Sequence, residues 1–248
     1  MSAGRAAVVI PARFAATRLP GKPLLDIGGK PMIQRVFERA SRARRVAEVV
    51  VATDDVRIVE CVRAFGGRAV MTRADHETGS ARCAEVAGAL DADLIVNVQG
   101  DEPDLDPDAV DLAIAIHAEH RPFATTLAAP FPSAADCNDP SAVKAVLGEE
   151  VADGVRRAVY FSRAPVPYTD GEGAPERFLH IGLYVFSKDA LARFAAAPRG
   201  RAEMQEKLEQ LRILEHGETI LAGVVDRAVP GVDTIDDLEA ARRRLAGG

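Results

Sequence analysis

Cysteine is scarce in this sequence, and what there is forms no chemical pattern. Cys61, Cys83 and Cys137 are widely spaced and make no Cys-x-x-Cys pair, which excludes the common thiol-redox and structural-zinc signatures. They read instead as small buried or half-buried residues. No apolar run approaches membrane length, and no charged segment followed by an apolar stretch opens the chain. Cytoplasmic residence without membrane contact is the expectation. Positive charge is not in excess either. A formal net charge of -6 argues against a nucleic-acid binder, while leaving room for a local basic pocket. Two phosphate-binding signatures are also missing. Lys22 and Lys30 are each followed by proline, so there is no G-x-x-x-x-G-K-[ST] loop, and no G-x-G-x-x-G follows the first apolar run. That disfavours a P-loop enzyme and a nicotinamide enzyme. No repeat, low-complexity tract or flexible linker breaks the chain.

What remains is an ordinary globular composition, with 48% hydrophobic and 27% charged residues in 248. That length suits one domain spanning 1–248, with room for a smaller appendage. Its organising stretch is residues 94–98, an apolar run that ends abruptly in Gln99-Gly100-Asp101-Glu102-Pro103. Such a run reads as a buried strand. In an open parallel sheet the ligand crevice lies beyond the carboxyl ends of the strands. Asp101 therefore falls where a hard cation carrying a nucleotide phosphate would sit.

Residues 6–10 read as a first buried strand, followed by a loop over 11–24 with three prolines and the cations Arg13, Arg18 and Lys22. Guanidinium forks and an ammonium suit phosphate, and the prolines restrict the backbone that carries them. Further strands are expected at 46–52, 68–71 and 123–128. Helices are expected at 31–43, 56–65, from just after Arg82 to 90, and 107–120 with Asp106 as cap. This alternation predicts an α/β fold with a doubly wound, mostly parallel sheet. His76 reads as a structural loop histidine.

From about residue 130 the pattern changes to short β segments at 143–147, 158–161 and 181–186. Residues 130–190 are expected to form a smaller inserted β subdomain over the crevice and a homodimer surface. A helix over 204–214 would carry Glu206, Glu209, Gln210 and Arg212 on a solvated face. Asp233 is an N-cap candidate for a final helix over 235–245. It is also a second carboxylate able to reach a metal if its turn folds back.

Seven motifs, in order, carry a resemblance that covers residues 6–245. They are Ile10-Pro11-Ala12-Arg13 through Arg18-Leu19-Pro20-Gly21-Lys22-Pro23-Leu24; Thr72-Arg73-Ala74-Asp75-His76; Asn97-Val98-Gln99-Gly100-Asp101-Glu102-Pro103; Tyr160-Phe161-Ser162-Arg163-Ala164-Pro165; His180-Ile181-Gly182-Leu183-Tyr184; Leu208-Glu209-Gln210-Leu211-Arg212; and Gly231-Val232-Asp233-Thr234. The chain resembles the cytidylyltransferases that make CMP-sugar acids, most closely the 3-deoxy-manno-octulosonate (Kdo) cytidylyltransferase family. The resemblance implies a fold of nucleotide-diphospho-sugar transferase type. It implies transfer of CMP from CTP to the anomeric hydroxyl of Kdo, for lipopolysaccharide biosynthesis. Arg13, Lys22 and Asp101 would be catalytic, with Arg13, Lys22, Arg73, Arg82 and Gln99 on the nucleotide. Gln99, Arg163, His180, Tyr184, Glu209 and Gln210 would shape the sugar-acid pocket, and Asp101 and Asp233 would carry Mg²⁺. Two departures stand out. Ala81 replaces an acid, and the segment from Pro167 to His180 is short, with Tyr168 where many relatives have tryptophan. They keep open a cytidylyltransferase for another acidic acceptor, such as 8-amino-Kdo, and a nucleotide-binding protein without turnover.

Overall fold

The computed structural model describes residues 4–15, 19–131, 135–168, 170 and 176–245. Arg18 and residues 171–175 lie outside them.

The chain opens with β1 (Ala6–Ala12), almost wholly buried, as a central parallel strand covered on both faces requires. A two-residue hairpin follows, β2 (Asp26–Ile27) and β3 (Lys30–Pro31). Gly28 and Gly29 turn it at φ 59° and 81°, the left-handed pair that a type I′ turn demands. α1 (Met32–Ala40) buries Met32, Ile33, Val36 and Ala40, one apolar stripe at helical spacing. Next come β4 (Val46–Thr53), α2 (Val56–Ala64) capped by Asp55, and β5 (Arg68–Met71). α3 (Gly79–Ala87) begins at a Thr78 cap, earlier than expected, so Arg82 is a helix residue. β6 (Leu94–Asn97) and α4 (Pro107–His120) follow, and Asp106 caps α4 through a 3.0 Å bond from the Asp108 amide. Then come β7 (Ala124–Pro130), β8 (Lys144–Ala152), β9 (Val155–Ser162) and β10 (Phe178–Ser187). The chain closes with α5 (Lys188–Ala196), α6 (Arg201–Glu206), α7 (Leu211–Glu215), β11 (Ile220–Val224) and α8 (Ile235–Leu245).

These elements pack as two compact units, residues 1–114 with 229–248, and residues 115–228. In the first, β5-β4-β1-β6 form a parallel array. The chain leaves β1 for β4 and β5 on one side, then returns to pair β6 on the other. The switch point therefore lies between the carboxyl ends of β1 and β6, where open α/β sheets bind ligands.

In the second unit the order is β10-β7-β11-β9-β8. β7 and β11 are parallel, and the other pairs are antiparallel. β8 also pairs with β10 at Leu179↔Lys144, so the ladder closes on itself. The strands expected over 130–190 as a smaller β subdomain pair with β7 and β11 inside this unit, which runs from 115 to 228. The expected helix over 204–214 is broken. Lys207 takes φ 56° and closes α6 through its amide to Glu203 O, leaving Glu209 and Gln210 in the turn before α7. No helix among the described residues is long and apolar enough to cross a membrane.

Candidate functional site

After β1 the loop doubles back. Gly21 N donates to Phe14 O at 2.9 Å, and Gly21 sits at φ 70° with the Phe14 ring 3.2 Å from where a Cβ would stand. That clip places Lys22 in a short 3-10 turn (Lys22–Leu24). An apolar cluster of Leu19, Ile27, Met32, Val232, Leu238 and Ala241 joins this loop to α8. The Val232 amide then bonds Asp101 O at 2.9 Å, so loop, strand end and helix start are fastened together.

The charged side chains follow from that packing. Lys22 Nζ donates to Asp101 Oδ2 at 2.7 Å and to Asp233 Oδ1 at 2.9 Å. Asp233 is not the cap of α8. Thr234 and Asp237 form a reciprocal box, with Asp237 Oδ2 accepting from the Thr234 amide at 2.8 Å and Thr234 Oγ1 accepting from the Asp237 amide at 3.2 Å. This frees the Asp233 carboxylate to face Lys22. Beside Asp101, burial and then the Asp101 charge push the Glu102 carboxyl up to about 8, so it is largely protonated at neutral pH.

A cleft of about 160 Å³ is lined by Pro11, Ala12, Arg13, Lys22, Pro23, Gln99, Gly100 and Asp101. A Cβ at Gly100 would stand 3.1 Å from Pro11 O, a tight contact that glycine avoids where the ends of β1 and β6 come close. Gln99 is held by a buried chain. Its Nε2 donates to Asn97 Oδ1 at 3.3 Å, and Asn97 Nδ2 donates to Ser80 Oγ at 3.0 Å. Arg13 Nη2 donates to His76 O. The His76 ring is itself tied to Glu85, which accords with the structural reading of that histidine.

Two expected nucleotide ligands are absent from the cleft lining. Arg73 is exposed and pairs with Asp75 at 3.2 Å. Arg82 is fully buried, bonded to Thr72 Oγ1 and to Asp54 at 3.1 Å. With no exposed surface, the Arg82 side chain faces its protein partners and is not part of the cleft wall. Asp54 also answers the departure at Ala81: this arginine has its carboxylate, from the end of β4.

Apart from Gln99, the residues expected around a sugar acid lie in the second unit. Arg163 is tied down, its guanidinium donating to Glu206 O and Pro140 O at 2.9 Å each and to Lys207 O at 3.4 Å. The fully buried Lys144 spans Asp139 O at 2.7 Å and Arg163 O at 2.9 Å. A cation directly before the apolar run at the start of β8 was the available signal for it. Glu206 accepts from Ser162 Oγ at 2.7 Å and the Arg163 amide at 2.9 Å. Arg212 is buried in a fork with Glu203 at 2.7 and 2.6 Å, and Gln210 is buried as well. The expected solvated face is therefore wrong for these positions, because the break at Lys207 turns them inward. On β10 the His180 and Tyr184 rings lie 5.4 Å apart. Burial, and then the Glu209 charge, raise the Tyr184 hydroxyl well above its usual range.

Residues 7–220 match the family model described as cytidylyltransferase. The chain belongs to the cytidylyltransferase family. It is 47% identical over 249 residues to a 3-deoxy-manno-octulosonate cytidylyltransferase of Rhodopseudomonas palustris (strain BisB5), with 99% of each chain covered. It is similar to a solved CMP:2-keto-3-deoxy-manno-octonic acid synthetase complexed with CTP, at TM-score 0.91 and 43% identity, covering 98% of this chain and 99% of that one. A UDP-glucose pyrophosphorylase complexed with UDP-glucose shares the fold at TM-score 0.70 and 15% identity, covering 97% and 98%. The α/β architecture of this cytidylyltransferase is thus shared with that pyrophosphorylase.

The donor set fits a magnesium ion. Asp101 and Asp233 already share one cation. Among the described residues no three acidic, histidine or cysteine side chains form a cage. Mg²⁺ typically takes one or two carboxylates and completes its shell with water and substrate phosphates.

Proposed function

We propose that this chain transfers CMP from CTP to the anomeric hydroxyl of 3-deoxy-D-manno-octulosonate, giving CMP-Kdo and pyrophosphate. The observation that carries the reading is the meeting of Asp101, Asp233 and Lys22 at a parallel-sheet switch point, in a chain nearly half identical to Kdo cytidylyltransferases over its full length. In the reaction the sugar hydroxyl oxygen bonds to the α-phosphorus, its proton is lost, and the bond to the β-phosphate bridge breaks. Arg13 and Lys22 grip the triphosphate and neutralise the charge that builds on the departing pyrophosphate. Asp101 and Asp233 would hold Mg²⁺. When bound, that ion supplies charge neutralisation on phosphate and a lower pKa for the attacking hydroxyl. Gln99, fixed through Asn97, orients the reactants from the floor of its cleft. Arg163, His180, Tyr184, Glu209 and Gln210 form the acceptor's pocket.

The reading puts the chain in the cytoplasm, as a homodimer with no nucleic-acid or membrane partner. Exposed Val151, Val159 and Tyr160 on β8 and β9 support a dimer surface there. Pyrophosphate release with CTP, Mg²⁺ and Kdo, beside controls lacking each, tests the reading. Release with 8-amino-Kdo but not Kdo would move the acceptor, and CTP binding without any release would remove the activity.

A further inference from the structure

β10 does not keep one register with β7. Pairing runs from Phe178↔Pro130 to Ile181↔Leu127, then slips and resumes at Val185↔Thr125. Such a bulge re-aims side chains and takes backbone groups off the ladder. Here the carbonyl oxygens of Ile181 and Leu183 both face the Thr126 hydroxyl on β7, at 3.1 and 2.8 Å. The same Oγ1 lies 2.9 Å from His180 Nε2, and Thr126 has no exposed surface.

A hydroxyl has one proton, and carbonyl oxygens only accept. The Thr126 proton must therefore go to the peptide oxygens. Turned towards the imidazole instead, it would leave both carbonyls facing a lone pair in a dry interior, which costs more than the bond gains. Oγ1 thus accepts from His180, and the imidazole proton resides on Nε2. The ring is set edge-on to Phe161 at 4.9 Å and tilted against Tyr184 at 5.4 Å. Among the described residues nothing donates to Nδ1.

We infer that Thr126 is a positioning residue that fixes His180 as the Nε2–H tautomer, so that its bare Nδ1 accepts a hydrogen bond from a hydroxyl of the sugar acid. On this geometry His180 is not a cation for the acceptor's carboxylate. Burial agrees, pushing the imidazole pKa down to about 3. The inference rests on the proposed function only in naming the acceptor; the tautomer belongs to the free chain.

Two measurements test it. Nitrogen NMR of the ¹⁵N-imidazole-labelled full chain at pH 7, with His180 assigned by loss of its signals in His180→Asn, should show a protonated Nε2 and a bare Nδ1. A protonated Nδ1, or two protonated nitrogens, overturns the inference. In steady-state assays Thr126→Val should raise KM for Kdo about tenfold, the worth of one mis-set hydrogen bond. KM for CTP should stay unchanged, and Thr126→Ser should restore both the Kdo KM and the nitrogen pattern. An unchanged Kdo KM in a folded Thr126→Val variant also overturns it. Should the unaltered chain release no pyrophosphate with Kdo, the functional reading fails and the NMR result decides the tautomer alone.

Discussion

Asp101 and Asp233, on opposite sides of the second unit in sequence, meet on one nitrogen: Lys22 Nζ is 2.7 Å from the first and 2.9 Å from the second. Their side chains remain 34% and 44% exposed, and ion pairs that wet add little stability. The arrangement is therefore suited to chemistry rather than to holding the fold. Asp101→Asn and Asp233→Asn should each leave the melting temperature within a few degrees of the unaltered chain, yet lower kcat for pyrophosphate release by at least about a hundredfold. Near-normal release from either variant would refute the assignment.

Lys22 stands where the two carboxylates would otherwise repel. Removing its charge in Lys22→Met should make the free chain bind Mg²⁺ more tightly, because the ion no longer competes with an ammonium for the same oxygens. A thermal-shift titration without nucleotide, with matched ionic strength in sodium chloride as control, should show a larger Mg²⁺-dependent rise for the variant. Equal rises in both chains would mean that the carboxylates do not share their cation site with magnesium.

Arg82 carries a full charge with no exposed surface, and Asp54 is its carboxylate partner at 3.1 Å. Breaking a buried pair from one side strands the other charge. Asp54→Asn should therefore cost about 3 kcal/mol of unfolding free energy, towards the low end of the usual range because Asp54 is partly wet. Thr72→Val, which removes one neutral partner, should cost about 1 kcal/mol. Urea unfolding measures both. Equal small losses would mean that Arg82 is satisfied some other way.

Much of the first unit was legible because its signals are local. Gly66-Gly67 stops α2 and starts β5 at the expected residue, and the apolar run ending at Gln99-Gly100-Asp101 does mark a strand end at the sheet's switch point. Asp233 was ambiguous between cap and ligand from sequence. The Thr-x-x-Asp spacing from Thr234 to Asp237 was the local clue that the cap lies one residue later. The second unit was harder. Nothing near Lys207 announces a left-handed residue inside a helical pattern, and what stabilises the break is distant, since Glu206 is bound by Ser162 and Arg163 on another strand. The pairing of β10 with β7, β8 and their neighbours is likewise a long-range fact, and periodicity reports only which face of a strand is apolar.

His117, buried in α4, offers a separate pH test. Its Nδ1 lies 3.0 Å from Thr125 Oγ1, and burial pushes its pKa from 6.5 down to about 4. Between those values the unfolded chain binds a proton that the folded chain refuses, so unfolding is favoured as pH falls. The contribution is fully present above about pH 6.5 and is lost as pH drops through 4, with roughly 2 kcal/mol of it already gone at pH 5. His117→Asn keeps an amide where Nδ1 stood and cannot titrate. It should be less stable than the unaltered chain at pH 7, because atoms are lost from a packed site, but the gap should narrow by roughly 2 kcal/mol at pH 5. His180 titrates lower still, at about 3, and is present in both proteins, so its slope cancels in the comparison. Denaturant curves that stay parallel between pH 7 and pH 5 would show that His117 is already charged, or already solvated, in the folded chain.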